Sequence, residues 1–121
     1  MTTADDPTTA RVDEEDPRIA KFRAMVDDDA DNELAWFSLG QALLDVGRSA
    51  EAEVAFGRAG ALQPDLMMAW YRRGECLLQL GRYAEAREMA LKTRDLAIAQ
   101  HHEGPKADAD EMLEEIDDAL A

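Results

Sequence analysis

The sequence predicts an all-α protein, a short solenoid of helical hairpins, and three observations carry that expectation. One pattern runs twice through the chain. Trp36 falls on Trp70, Gly40 on Gly74, Leu43-Leu44 on Leu77-Leu78, Gly47-Arg48 on Gly81-Arg82 and Ala50-Glu51-Ala52 on Ala84-Glu85-Ala86, always 34 residues apart. Self-similarity at that period marks a helix–turn–helix repeat. Apolar residues within each copy recur at helical spacing, and Gly47, Gly81 and Pro64 stand where turns belong.

Residues 1–16 hold six acids against Arg11 alone among Thr, Ala and Pro. A disordered acidic tail is expected there, and the stretch lacks the apolar run of a secretory signal. Asp16-Pro17 suits a helix start, with Pro in the first turn. The helix expected over 17–27 carries Ile19, Ala20, Phe22, Ala24, Met25 and Val26. Phe22 stands 34 residues before Phe56, and Asp31 stands 34 before Asp65. The stretch therefore reads as the second helix of a repeat whose first helix is missing. Its expected task is to cover the apolar face of the helix bearing Trp36.

Asp27, Asp29 and Asp31 occupy positions one, three and five of a calcium loop. Such a loop needs Gly at six and Glu at twelve, and those places hold Asn32 and Ser38. A turn with a helix cap is expected instead.

The first full hairpin spans 33–66. Leu34, Phe37, Leu39, Ala42, Leu43 and Val46 mark its first helix, and Gly47 suits a left-handed ending. Ser49 is the expected N-cap of the second helix, which carries Ala52, Val54, Phe56, Ala59 and Leu62. Pro64 stops it, and Asp65 is the expected cap of the next. Trp36 and Phe56 are expected in the core, with Gly40 and Ala52 small where helices cross.

The second hairpin spans 67–100. Leu96 to Gln100 extend its last helix toward His102, and Gly104-Pro105 should break the chain. A capping helix is then expected over 106–120, with Ala109, Met112, Leu113, Ile116, Ala119 and Leu120 on one face. Asp108 and Glu111 suggest a capping box at its start. Residues 17–121 should form one domain with one elongated core.

These residues resemble the tetratricopeptide repeat (TPR) signature. The first copy has Trp36, Leu39-Gly40, Leu43, Ala52, Phe56, Ala59 and Pro64. The second keeps Trp70, Gly74, Leu77 and Ala86 but has Arg73 for a usual Leu, Ala90 for the Phe and Ile98 for the Pro. The resemblance implies a right-handed α-solenoid whose first helices line a concave groove for a partner's peptide or helix. Carried over by register, the groove positions are Leu34, Phe37, Gln41 and Asp45, then Met68, Tyr71, Glu75 and Gln79, with Arg72 at the edge. Members that grip a terminal carboxylate use Lys and Asn there. Phe37, Gln41 and Glu75 stand at those places, so such a clamp is not expected.

The net charge of −14 is unevenly placed. Residues 32–102 hold nine acids against eight bases, while 103–121 hold eight acids against Lys106 alone. That field disfavours nucleic acid and anionic membrane. It fits a solvated acidic surface, attraction to a basic partner, or adaptation to high salt. No run approaches the length of a membrane span. The single cysteine, Cys76, forms no internal disulfide and fits a reducing cytoplasm. Its place beside Gly74 and Leu77 marks it as a core residue. His101-His102 lack the spacing of a helical metal pair. With no phosphate loop, metal motif or nucleophile elbow, neither enzyme activity nor a cofactor or metal is expected. The expected role is protein–protein interaction, as a monomer or weak homodimer. The alternative is a structural protein that self-associates by stacking its terminal helices.

Overall fold

The computed structural model describes residues 16–121; the expected acidic tail, apart from Asp16, lies outside them. Six helices follow in order among these residues: α1 (Pro17–Asp28), α2 (Glu33–Asp45), α3 (Ser49–Leu62), α4 (Met67–Gln79), α5 (Tyr83–Ala99) and α6 (Glu103–Leu120). Each packs chiefly on its neighbours in the chain, as a solenoid requires.

The turns follow one device. Gly47 and Gly81 take φ of +81° and +75°. Their N–H groups donate to the carbonyls of Leu44 and Leu78, while those of Arg48 and Arg82 reach back to Leu43 and Leu77. This is the Schellman ending, in which a left-handed residue satisfies two orphan carbonyls. The same pair of bonds closes α5, from His101 to Ile98 and from His102 to Ala97. There a histidine, at φ +60°, holds the glycine position. The chain thus turns at His101, three residues earlier than expected. Gly104 and Pro105 lie in the first turn of α6, where a missing N–H leaves no helical bond unmade.

Other expected caps shift as well. Asp16 does cap α1, accepting from the Arg18 N–H, and Asn32 caps α2 by accepting from Ala35. Ser49 is instead the first residue of α3, and its hydroxyl donates to Gln79 Oε1. Leu66, not Asp65, precedes α4, and Asp108 lies inside α6, so no capping box forms there. Asp29 serves the α1–α2 turn, accepting from the Asp31 N–H.

The apolar interior forms two clusters rather than one. Ile19, Val26, Leu39, Leu43, Phe56 and Cys76 belong to the first, and Trp70, Leu77, Met89, Ala90, Met112 and Ile116 to the second. Beside both runs a polar seam. Glu53, only 5% exposed, accepts from Arg73 Nε at 2.8 Å, and Arg82 stands 3.5 Å from its second oxygen. Arg73 takes the family's Leu position, and its guanidinium lies across Gly57, where an added Cβ would stand 3.3 Å away.

Cys76 is fully buried, and burial pushes its thiol up to about 12. Ala109, Met112 and Ile116 of α6 are buried, while Leu113 is half-buried and Ala119 and Leu120 are exposed, so the expected stripe is shorter at its end.

Candidate interaction surface

Three first-position helices, α2, α4 and α6, supply the candidate surface. Tyr71, Glu75, Leu78 and Gln79 of α4 face Asp108, Glu111, Met112 and Glu115 of α6 across a cleft of about 270 Å³. On α6 those acids fall at i, i+3 and i+7, one helical face. Four carboxylates therefore surround a floor of Tyr71, Leu78 and Met112. Arg72 binds Glu75 Oε1 at 2.8 Å at the edge. The Tyr71 phenol feels this field: burial raises its pKa, and the Glu75, Asp108 and Glu111 charges raise it further against Arg72.

Ion pairs hold α6 to α5: Arg94 reaches Asp110 at 2.7 Å and Arg87 pairs with Asp117, while Lys106, on α6 itself, reaches Asp110 at 3.0 Å. Hydrogen bonds from Lys106 and Arg94 hold the Asp110 carboxyl below its usual range.

The sequence-predicted groove residues separate into groups. Tyr71, Glu75 and Gln79 line the cleft, with Arg72 beside it. Phe37 and Gln41 line another hollow, of about 230 Å³, together with Arg18, Phe22 and Ser38. Phe37 also packs edge-on to Phe56, centroids 5.3 Å apart. Asp45, at the end of α2, accepts from Gln41 at 2.9 Å and Arg18 at 3.0 Å. Leu34 is 66% exposed and Met68 half-buried, and both lie outside the two hollows.

Sequence reasoning missed Asp108, Glu111 and Glu115 because it treated α6 as a cap with a solvated outer face. Their i, i+3, i+7 spacing was the available signal. Among the described residues no group of three His, Cys, Asp or Glu is placed to hold a metal ion, and no helix is long and apolar enough to cross a membrane.

Comparison with known proteins agrees with this architecture. The first TPR of Spaghetti (RPAP3), solved bound to HSP90 peptide SRMEEVD, superposes with TM-score 0.75 at 24% identity, covering 93% of this chain and 82% of that one. PcrH in complex with the chaperone binding region of PopD gives 0.78 at 20% identity, covering 100% and 99%. The Yersinia enterocolitica type III secretion chaperone SycD, with a peptide of the translocator YopD, gives 0.76 at 19%, covering 98% of each chain. These likenesses establish the fold. No curated protein sequence matches significantly. The tetratricopeptide repeat pattern matches residues 9–65 and again 39–101. With more than half its length matched, the chain belongs to the tetratricopeptide repeat family.

Proposed function

We propose that this chain is a protein–protein interaction module that takes a basic, extended segment of a partner in the α4–α6 cleft. The observation that carries this reading is the cleft itself, with Tyr71, Leu78 and Met112 as floor and Glu75, Asp108, Glu111 and Glu115 as walls. Apolar anchors within a ring of charge suit one apolar side chain flanked by Lys or Arg. The fold neighbours solved with peptides support a peptide as the kind of ligand. The peptide SRMEEVD carries three acids. Four carboxylates here disfavour a ligand of that sign.

A peptide-display selection against the whole chain tests the reading. Enriched sequences should carry Lys or Arg beside an apolar residue. Tyr71→Ala should weaken them by about 2 kcal/mol, on the order of thirtyfold. Added salt should remove the charge contribution and leave the apolar one. Enrichment of acidic or neutral peptides, or affinity indifferent to Tyr71, contradicts it. The self-associating alternative loses much of its C-terminal support, since α6 buries Met112 and Ile116. Concentration-dependent sedimentation distinguishes the two.

A further inference from the structure

The hollow at Phe22 and Phe37 coincides with a place the repeat leaves empty. In the first full hairpin, α3 turns Ala52, Phe56 and Ala59 toward its own first helix, and all three are 0% exposed. Phe56 presses against Gly40 so closely that a Cβ there would stand 2.9 Å from the ring. The residues of α1 34 positions earlier are Arg18, Phe22 and Met25. Phe22 is only half-buried, and Met25 is 38% exposed. The opposite face of α1, through Ile19 and Val26, is buried as its α3 counterparts Glu53 and Gly60 are. α1 is therefore a second-position helix with no first-position partner among the described residues. The hollow lined by Arg18, Phe22, Phe37, Ser38 and Gln41 is part of the slot that partner would occupy.

We infer that this slot receives an amphipathic helix from a partner protein, completing the half-repeat in trans. The occupant needs a small residue opposite the Phe22 ring, as Gly40 stands opposite Phe56, and an apolar face toward Phe37 and Met25. Charge adds a second requirement. In a chain of net charge −14, Lys21 sits 5.5 Å over the Phe22 ring, while Arg18 is already paired with Asp16 and Asp45. An acid flanking the apolar face of the incoming helix complements Lys21.

The other two occupants fit less well. The preceding segment has the length for a helix and a turn, but its chemistry is wrong. Where α2 has Trp36, Leu39, Gly40 and Leu43, it has Thr2, Asp5, Asp6 and Thr9, with Pro7 between. A second copy has no spare first-position helix to offer, because Leu39, Leu43, Leu77, Met112 and Ile116 of α2, α4 and α6 are already buried.

The test uses the whole chain and a synthetic, fluorescently labelled copy of Glu33–Asp45 as probe, since that segment has the required pattern with an acid at each end. Anisotropy should rise saturably. A chain carrying Lys21→Glu and Met25→Glu, both at exposed positions, should bind at least tenfold more weakly. Tyr71→Ala should bind as the parent does. Circular dichroism of each variant verifies the fold, and Lys21→Glu alone, least disturbing to α1, should still weaken binding. Any of these results would overturn the inference: no saturable binding, equal binding by the substituted chains, loss of binding on Tyr71→Ala, or displacement of the probe by a peptide of residues 1–15. Dimers abolished by the same substitutions would assign the slot to a second copy and also contradict it.

Discussion

The two full hairpins share a register and solve the same packing problem differently. Trp36 and Trp70 each donate from Nε1 to a carbonyl six residues earlier, Ala30 and Pro64, at 2.8 and 2.9 Å. Each ring carries a cation 22 residues on, Arg58 at 5.6 Å and Lys92 at 5.1 Å. Yet Trp70 is 9% exposed and Trp36 only half-buried. The reason lies one helix back. Trp70 lies against Gly60, where a Cβ would stand 2.7 Å from the ring, and the residue 34 positions before Gly60 is Val26. Val26 has a side chain where Gly60 leaves room, so Trp36 cannot settle as deeply. The position one repeat before thus differs, Val26 against Gly60, alongside this difference in depth.

That difference should appear most strongly in truncation. Trp70→Ala is expected to cost about 3–5 kcal/mol, and Trp36→Ala about 1–2 kcal/mol, read from denaturant midpoints. Equal losses would break the comparison. The sequence-based expectation placed Trp36 in the core, and its burial is only partial.

A second contrast lies across the small glycines. Gly40 faces Phe56, whereas Gly74 faces Met112 of α6, with Met112 Sδ 3.0 Å from an added Cβ and Met89 Cβ at 3.3 Å. Ala90 stands at the Phe position, and Met112 fills the space an aromatic ring would take. Met112→Ala should therefore cost about 2–5 kcal/mol, and Ala90→Phe alone about 1–3 kcal/mol through overpacking. The pair together should recover most of the loss, measured as a double-mutant cycle.

The seam gives a third handle. Glu53→Ala should strand Arg73 and cost about 3 kcal/mol, while Glu53→Leu with Arg73→Leu should come back toward the parent. Additive losses would show that the two side chains act separately.

At the turns the effect is smallest. His101→Gly should stabilise by about 1 kcal/mol, because glycine takes a positive φ without strain, and Gly81→Ala should destabilise by a similar amount. A neutral His101→Gly would mean the imidazole is held there by something more than the turn.

Much of this was legible in the sequence. The 34-residue register located all four hairpin helices, and Asp16-Pro17 marked the start of α1 correctly. What escaped was fixed by neighbours distant in the chain. The Gly60–Val26 difference shows only when two helices are packed against two tryptophans. The ending at His101 escaped because a histidine is uncommon in the left-handed region and Gly104-Pro105 looked the stronger break. For the candidate surface, the register named Tyr71, Glu75 and Gln79, but it does not extend cleanly onto α6, where half of the cleft lies.

The proposed function rests on the sign of the charge in that cleft, so reversing the sign is its most direct test. Glu111 and Glu115 are exposed on α6 and take no part in the ion pairs that join it to α5, so Glu111→Lys with Glu115→Lys should leave the melting temperature nearly unchanged. The measurement is affinity of parent and reversed chains for two matched peptides, one flanking an apolar residue with lysines and one with glutamates. The parent should prefer the lysine peptide by at least tenfold at low salt, and the reversed chain should prefer the glutamate peptide. The same preference in both chains, with the fold intact, would contradict the account and remove the α4–α6 cleft as the binding site.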